Sequence, residues 1–236
     1  MKLSLLAFPA VALAGALFAA TASAQVIEVG NTSTPLVAPT CPKGVSSSNC
    51  KIVLTRVTAL ETRSDGAGNV MEIKHAGDLA ALNIGLSDLS SNSKTRKSDI
   101  SYLNSTYGGS PRGWVTVLRA YGKRSQDGWQ VVASSSVIYF QDYLGQVAQF
   151  PLSKEIPVVP GERIALTVPT WAPILSIDLN SKKFAYRQSR SRNCSVPPSS
   201  QQAQTKIGEV AHYKCNYTGT RAEYTVTEIT TPKKTS

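Results

Sequence analysis

The segment that most constrains the fold of this chain is residues 160–173, which read PGERIALTVPTWAP. Its Pro-Gly pair is typical of a turn, because proline presets φ at one corner and glycine tolerates a positive φ at the next. Ile164, Leu166 and Val168 then alternate with polar or small residues. This predicts a β-strand with one face on a core and a second, less critical face. The prolines on either side of Trp171 cannot continue a ladder, so we expect this tryptophan in a stiff loop after the strand.

Short segments of alternating apolar residues recur along the rest of the chain, with turn residues between them. Asp127-Gly128, between Trp114–Tyr121 and Trp129–Tyr139, predicts a hairpin. The long stretch Ser87–Ser110 is polar and rich in Ser, Asn and Lys. We therefore predict that this stretch is a functional or disordered loop, and that the mature chain has no helix.

These segments number roughly ten, with turn signals at close intervals, which predicts an all-β protein. Besides the hairpin above, we expect Ile174–Leu179 to pair with Phe184–Gln188, and Ile207–Tyr217 with Arg221–Ile229. The predicted fold is an antiparallel two-sheet sandwich. A jelly roll is favoured because the strand number is high and the cysteines are not spaced around a tryptophan as in antibody domains; an immunoglobulin-like sandwich is the alternative.

The first 24 residues have the three parts of a secretory signal peptide: a lysine near the start, an apolar stretch and an Ala-Ser-Ala cleavage site. We therefore expect a secreted, extracellular protein. Residues 25–50 are predicted to be an extended lead-in, residues 51–229 a single sandwich domain and residues 230–236 a frayed basic tail. No later apolar run is long enough to span a bilayer, so no transmembrane segment is expected in the mature chain.

Four cysteines follow the predicted signal peptide. An even number of cysteines in an exported chain indicates disulfides, although four cysteines allow three pairings. Their closeness in sequence favours Cys41–Cys50, inside the lead-in, and Cys194–Cys215, each of which would close a local loop.

The sequence offers no recognisable metal, cofactor or catalytic motif. It contains no Cys-x-x-Cys, and its two histidines, His75 and His212, have no ligand-like spacing to the cysteines. Neither Gly-x-Ser-x-Gly nor His-Glu-x-x-His occurs. The segment Asp65–Asn69 resembles a calcium loop faintly, and a hairpin turn explains it better. We predict no metal, no cofactor and no catalytic residue, and two scattered acids acting as a glycosidase pair stay open as an alternative.

The charge of the chain favours anionic partners. There are 25 Lys and Arg residues against 15 Asp and Glu residues, a formal net charge of +10. The signal peptide holds one of the lysines and no acid, so the mature charge is (25 − 1) − 15 = +9. Such a balance attracts anionic cell-wall polymers, acidic polysaccharides, phospholipid headgroups or nucleic acid over long distances. We favour an anionic polysaccharide or cell-surface polymer as the partner and expect no specific nucleic acid.

One candidate binding surface combines an aromatic ring with arginines. Trp171, if exposed, would offer a flat face on which a sugar could stack. Arg187, Arg190 and Arg192 follow downstream, and guanidinium groups suit carboxylate or phosphate. The alternative for Trp171 is a buried plug at the end of the sandwich, since tryptophan is usually well buried.

Several short motifs resemble those of a group of secreted bacterial β-rich proteins. They are Val117-Leu118-Arg119, Tyr143-Leu144-Gly145, the GERIALTVPTWAP run at 161–173, and the YRQSR run at 186–190 followed by Cys194. The resemblance covers the chain from about residue 51 to its end. It implies export and a β-rich body, and it supplies no catalytic residue.

The sequence as a whole predicts a secreted, disulfide-stapled β-sandwich that binds an anionic envelope or matrix glycan without catalysis. The alternatives are a carbohydrate-active hydrolase and a structural or protein-interaction protein. Four Asn-x-Ser/Thr acceptors also occur, at Asn31, Asn104, Asn193 and Asn216.

Overall fold

The computed structural model describes residues 23–30, 33–45, 50–122 and 128–232. Residues 1–22 of the predicted signal peptide lie outside this part of the chain, as do Asn31, residues 123–127 of the predicted turn and residues 233–236 of the predicted tail. The described residues form antiparallel β-sheets and one α-helix. This confirms the prediction of an all-β, antiparallel two-sheet sandwich.

The smaller sheet brings the two ends of the described chain together. Its four strands, all antiparallel to their neighbours, are in spatial order β1 (Val26–Val29), β15 (Tyr224–Thr230), β4 (Gly77–Gly85) and β8 (Val147–Val158). The predicted lead-in therefore contributes a strand, because Val26 lies opposite Ile229. Thr230, which the sequence assigned to the tail, ends β15, and its amide donates to the Gln25 carbonyl at 2.8 Å.

The larger sheet has nine strands, seven of them in one side-by-side path. That path is β12 (Val210–Ala211), β6 (Trp129–Ser134), β5 (Arg112–Ala120), β9 (Arg163–Ala172), β2 (Leu54–Ser64), β11 (Ala185–Gln188) and β13 (Cys215–Thr218). Two short strands off this path, β3 (Ala67–Gly68) and β7 (Ile138–Tyr139), pair with β2 and β5. A separate two-stranded ribbon joins β10 (Leu175–Ser176) to β14 (Arg221–Ala222).

The large sheet is strongly curled, and its connectivity shows why. β12 and β13 occupy opposite ends of the seven-strand path, yet only residues 212–214 separate them in sequence. In a flat sheet, six interstrand spacings would place these two strands about 29 Å apart. The four Cα–Cα steps from Ala211 to Cys215 reach at most about 14 Å. The sheet must therefore bend until its two ends approach each other.

Only one of the three predicted hairpins forms. β5 pairs with β6, so that Ala120 lies opposite Trp129, as predicted. The other two hairpins are wrong, because β10 pairs with β14, β11 with β2 and β13, and β15 with β1 and β4. Alternation identifies a strand and its buried face, but it does not say which strand lies beside it.

The central strand β9 has the predicted core face. Its other face, which was predicted to be less critical, is buried as well. Ile164, Leu166 and Val168 are fully buried between the sheets. Thr167, on the opposite face, is also fully buried. Its hydroxyl lies 2.9 Å from that of Thr58 and 2.6 Å from that of Thr116. The segment that contains Gln204 crosses above them, and the Gln204 amide N–H donates to the Thr58 hydroxyl at 2.9 Å.

The polar stretch predicted as a loop contains the helix α1 (Ser93–Tyr107), so the prediction of no mature helix is wrong. The Asn92 side chain accepts from the amides of Lys94 and Thr95, which caps the amino end. Gly108 adopts the left-handed conformation that ends many helices. Leu103 is the one buried residue of α1, so the helix has no apolar stripe. Within the described ranges, no helix has the length and hydrophobicity that a membrane crossing requires.

Candidate functional site

The candidate site is a cleft of about 980 Å³ between α1 and the two disulfide loops. One wall is α1, which presents Tyr102, Leu103 and Tyr107. A second wall is the segment from Cys194 to Pro198, and Cys41, Val45 and Cys50 contribute to the lining from the other disulfide loop. Concave sites of this size with apolar walls and a few polar groups are typical of ligand binding.

Strand β11 builds the inner wall of the cleft by simple alternation. Tyr186 and Gln188 are the second and fourth residues of the strand, and Arg190 continues the same spacing beyond its end; all three line the cleft. Arg187 lies on the other face of the strand, where its guanidinium donates to the Tyr213 carbonyl at 3.3 Å. The YRQSR run therefore contributes every second residue to the cleft.

The side chains of this inner wall hold one another in place. The rings of Tyr186 and Tyr217 stack with their centroids 5.0 Å apart and an interplanar angle of 18°. Gln188 Nε2 donates to the Tyr186 hydroxyl at 2.9 Å, and the Tyr217 hydroxyl donates to the Cys194 carbonyl at 2.7 Å. Burial raises the pKa of both phenols. These groups stay neutral at physiological pH, so they present aromatic faces and hydroxyl groups without charge.

Arg190 is the one predicted binding arginine that lines the cleft, and it is buried. Its guanidinium donates to the Asn193 carbonyl and, at 3.4 Å, to the Tyr217 hydroxyl. Neither Arg187 nor Arg192 is among the described residues that line the cleft. The structure therefore separates the predicted arginine cluster, because β11 directs alternate side chains to opposite faces.

Trp171 is fully buried, and it lies within β9 rather than in a loop after it. Its indole Nε1 donates to Asn104 Oδ1 at 3.0 Å and to the Gly109 carbonyl at 3.1 Å. The neighbouring Thr170 hydroxyl donates to the Ser110 carbonyl at 2.9 Å. Trp171 therefore has no free face on which a ligand could stack. It is a core residue that attaches α1, and thus one wall of the cleft, to the large sheet.

Both predicted disulfides are present and both border the cleft. Cys41 bonds to Cys50 and Cys194 bonds to Cys215, and no described cysteine is free. Disulfides of this kind indicate an oxidising compartment. Because each bond closes a loop that forms part of the cleft wall, the site is held by covalent links as well as by packing.

Charged residues of both signs line the cleft. Lys51 and Arg190 supply the cations, and Asp99 and Asp178 supply the carboxylates. The opposite charges balance within the lining, so the net positive charge of the chain resides elsewhere on its surface. The exposed tyrosine at the rim, Tyr102, retains 64% of its accessible surface and offers the aromatic face that was expected of Trp171.

The described residues contain no cluster of three or more His, Cys, Asp or Glu side chains that could hold a metal ion. Asp65, the first acid of the faint calcium-like loop, accepts hydrogen bonds from Ser33 and Thr34 and thus fixes a turn. His75 and His212 are exposed and do not line the cleft. Comparison with protein-family models, with curated proteins and with solved structures yields no match.

Proposed function

We propose that this chain is a secreted, non-catalytic binding protein that holds a glycan in the cleft between α1 and the disulfide loops. The observation that supports the proposal is the combination of tyrosine rings and hydrogen-bonding groups in the lining of one cleft. Tyr102 and Tyr107 of α1, Tyr186 of β11 and Tyr217 of β13 all line it.

A sugar ring matches this kind of wall because it has an apolar C–H face and a rim of hydroxyl groups. Tyrosine provides a flat apolar body together with a polar tip. Gln188 and the two aspartates of the lining provide further donors and acceptors. A chain of sugars would therefore find both kinds of contact at successive positions.

The positive charge of the protein supports an anionic glycan of the cell envelope or matrix. A net charge of +9 on the predicted mature chain, (25 − 1) − 15, concentrates polyanions near the surface before they enter the cleft. Because the cleft lining is charge-balanced, this contribution acts at long range and is screened by salt over about 10 Å at 0.1 M. The long-range attraction of the glycan should thus depend on salt, whereas its contacts in the cleft should not.

The test is a polysaccharide binding assay with a matched pair of tyrosine variants. Tyr102→Ala removes an exposed ring at the cleft, and Tyr139→Ala removes a tyrosine of similar exposure, 60%, on β7. The purified protein is titrated with polygalacturonate, chondroitin sulfate and neutral xylan at two salt concentrations. We expect Tyr102→Ala to weaken binding about two- to twelve-fold, the loss of one stacking contact, at both salt concentrations. Equal effects of the two variants, or no retained glycan, would refute the proposal.

A hydrolase acting on the same ligand is the second candidate function, because Asp99 and Asp178 both line the cleft. Glycosidases require two carboxyl groups that flank the scissile bond. The release of reducing ends from the three polysaccharides above tests this candidate. Activity that is lost in both Asp99→Asn and Asp178→Asn, while binding persists, would make the protein an enzyme. Unchanged polymer length with intact binding supports the non-catalytic function.

A further inference from the structure

Arg56 occupies an unusual position in the middle of β2. Its φ is +50°, in the left-handed region that residues with a side chain rarely adopt. The pairing between β2 and β9 shifts register here, from Thr55 opposite Trp171 to Val57 opposite Val168. Two residues of β9, Pro169 and Thr170, thus lie opposite Arg56 alone, which is the geometry of a β-bulge.

The proline in β9 explains why the bulge lies at this point. Proline has no N–H for a ladder, so within a central strand it is tolerated mainly at a bulge. The bulge also frees the backbone of Arg56, whose carbonyl accepts from the Gln202 amide at 3.0 Å. A bulge changes the direction of the side chain beside it, and here the side chain reaches the carboxyl end of α1.

The guanidinium of Arg56 bonds to two segments that adjoin the cleft lining. Nη2 donates to the Thr106 carbonyl of α1 at 2.9 Å, and the group lies 5.5 Å from the centre of the Tyr107 ring. Nη1 donates to the Ser199 carbonyl at 2.6 Å, one residue beyond the Cys194–Pro198 wall. One side chain therefore ties the helix to the opposite loop.

The chemistry of these contacts requires an arginine. Thr106 lies in the last turn of α1, where carbonyls lack intrahelical partners and a cation is favoured by the helix dipole. The planar fork of a guanidinium presents N–H groups in two directions at once, whereas a lysine ammonium is a single point charge. Lysine can keep the charge, but it cannot bridge the two carbonyls in the same way.

We propose that Arg56 is a positioning residue that fixes the distance between the two walls and so preorganises the cleft for its ligand. The proposal rests on the proposed function for the identity of the ligand. The effect of Arg56 on the two walls can be measured without a ligand. A preformed cleft loses less conformational entropy when the ligand binds. A variant whose cleft is no longer preformed should therefore release its ligand faster.

The first measurement is native-state hydrogen exchange on the ligand-free protein and on Arg56→Lys. The matched control is Arg63→Lys, the same change in the same strand. We expect Arg56→Lys to raise exchange at least ten-fold in residues 93–107 and 195–203, with β5 and β9 unchanged. Arg56→Gly serves if the lysine variant does not fold, because glycine adopts the positive φ freely. Unchanged exchange in the two walls, or an equal rise in every strand, would refute the proposal that Arg56 holds the walls.

The second measurement is the dissociation rate of the polysaccharide that the wild type binds best. Arg56→Lys should dissociate at least five-fold faster, while Arg63→Lys matches the wild type. An unaltered rate in a variant with loosened walls would overturn the positioning role. If the wild type retains none of the three polysaccharides, the proposed function fails, and the exchange data alone decide whether Arg56 holds the walls.

Discussion

Removal of the Trp171 side chain is the sharpest test of how the cleft is built. The residue is fully buried in β9, so Trp171→Ala deletes a large ring from a packed interior. Substitutions of this kind cost about 3–5 kcal/mol through lost transfer free energy and the cavity left behind. For a chain of this size each kcal/mol lowers Tm by about 2–4 °C, so a fall of about 6–20 °C is expected.

A second variant separates the ring from its N–H group. Trp171→Phe keeps most of the apolar volume but removes the donor to Asn104 Oδ1 and the Gly109 carbonyl. An acceptor left without a partner in a buried position costs about 1–3 kcal/mol. Because both acceptors belong to α1 and the turn after it, this variant should loosen the helix more than it weakens the sheets.

The assay is denaturant and thermal unfolding of both variants, followed by hydrogen exchange at residues 93–109. Tyr139→Ala, which truncates an exposed tyrosine, serves as the control and should change the unfolding free energy by less than about 0.5 kcal/mol. Equal melting temperatures for Trp171→Ala and Tyr139→Ala would show that Trp171 is not a core residue. Unchanged exchange of α1 in Trp171→Phe would show that the indole N–H does not anchor the helix.

Three further predictions concern the interior, the disulfides and pH. Thr167→Val keeps the shape of the side chain but leaves neighbouring hydroxyls without their partner, so a urea titration should show a loss of about 1–3 kcal/mol rather than a neutral change. Replacing Cys194 and Cys215 by serine opens a 21-residue loop and should cost about 3.3 kcal/mol, against about 2.6 kcal/mol for the nine-residue loop of the other disulfide, in melts without reductant. Burial raises the pKa of Glu61, so its carboxyl binds a proton more tightly in the folded state, and stability should fall as pH rises above the ordinary glutamate value of about 4.3. Glu61→Gln, which keeps the acceptor for the Ala222 amide, should therefore be more stable than the wild type at pH 7, and a lower Tm would contradict this.

Much of the sandwich could be predicted because local residues determine strands and some turns. The alternation of Ile164, Leu166 and Val168 correctly identified the core face of β9. The Asp-Gly pair before Trp129 correctly indicated the β5–β6 hairpin. The burial of Thr167 could not be predicted, because it depends on a segment almost 40 residues away that crosses the curled sheet.

The helix was missed because its stability does not come from an apolar stripe. α1 is held by Asn92 at one end, by Gly108 at the other and by the Trp171 indole in between. The two caps were visible in the sequence as an Asn and a Gly-Gly pair at suitable spacing. The same residue types also occur in turns, so they do not by themselves predict a helix.

The site was only partly predictable, for a reason of geometry. The predicted binding surface groups the two arginines of the YRQSR run as one cluster. Strand alternation sends Arg187 away from the cleft and Arg190 into it. The same rule, applied to 186–190, would have identified Tyr186 and Gln188 as cleft residues. Tyr102 and Tyr217 gave no such signal, because only tertiary structure brings α1 and β13 to the same cleft.

The place of β15 in the small sheet has a consequence for how the chain acquires its structure. It is the last strand in chain order, yet it lies between β1 and β4. Its hydrogen bonds with these two strands join residues that are almost 150 to 200 positions apart in the sequence. Contacts between such distant residues close long loops and form slowly. The four-stranded sheet cannot be completed until β15 has been synthesised, so the chain stays incompletely folded until its synthesis is nearly over. The same topology makes the carboxyl-terminal strand indispensable, since its removal would leave β1 without a neighbour.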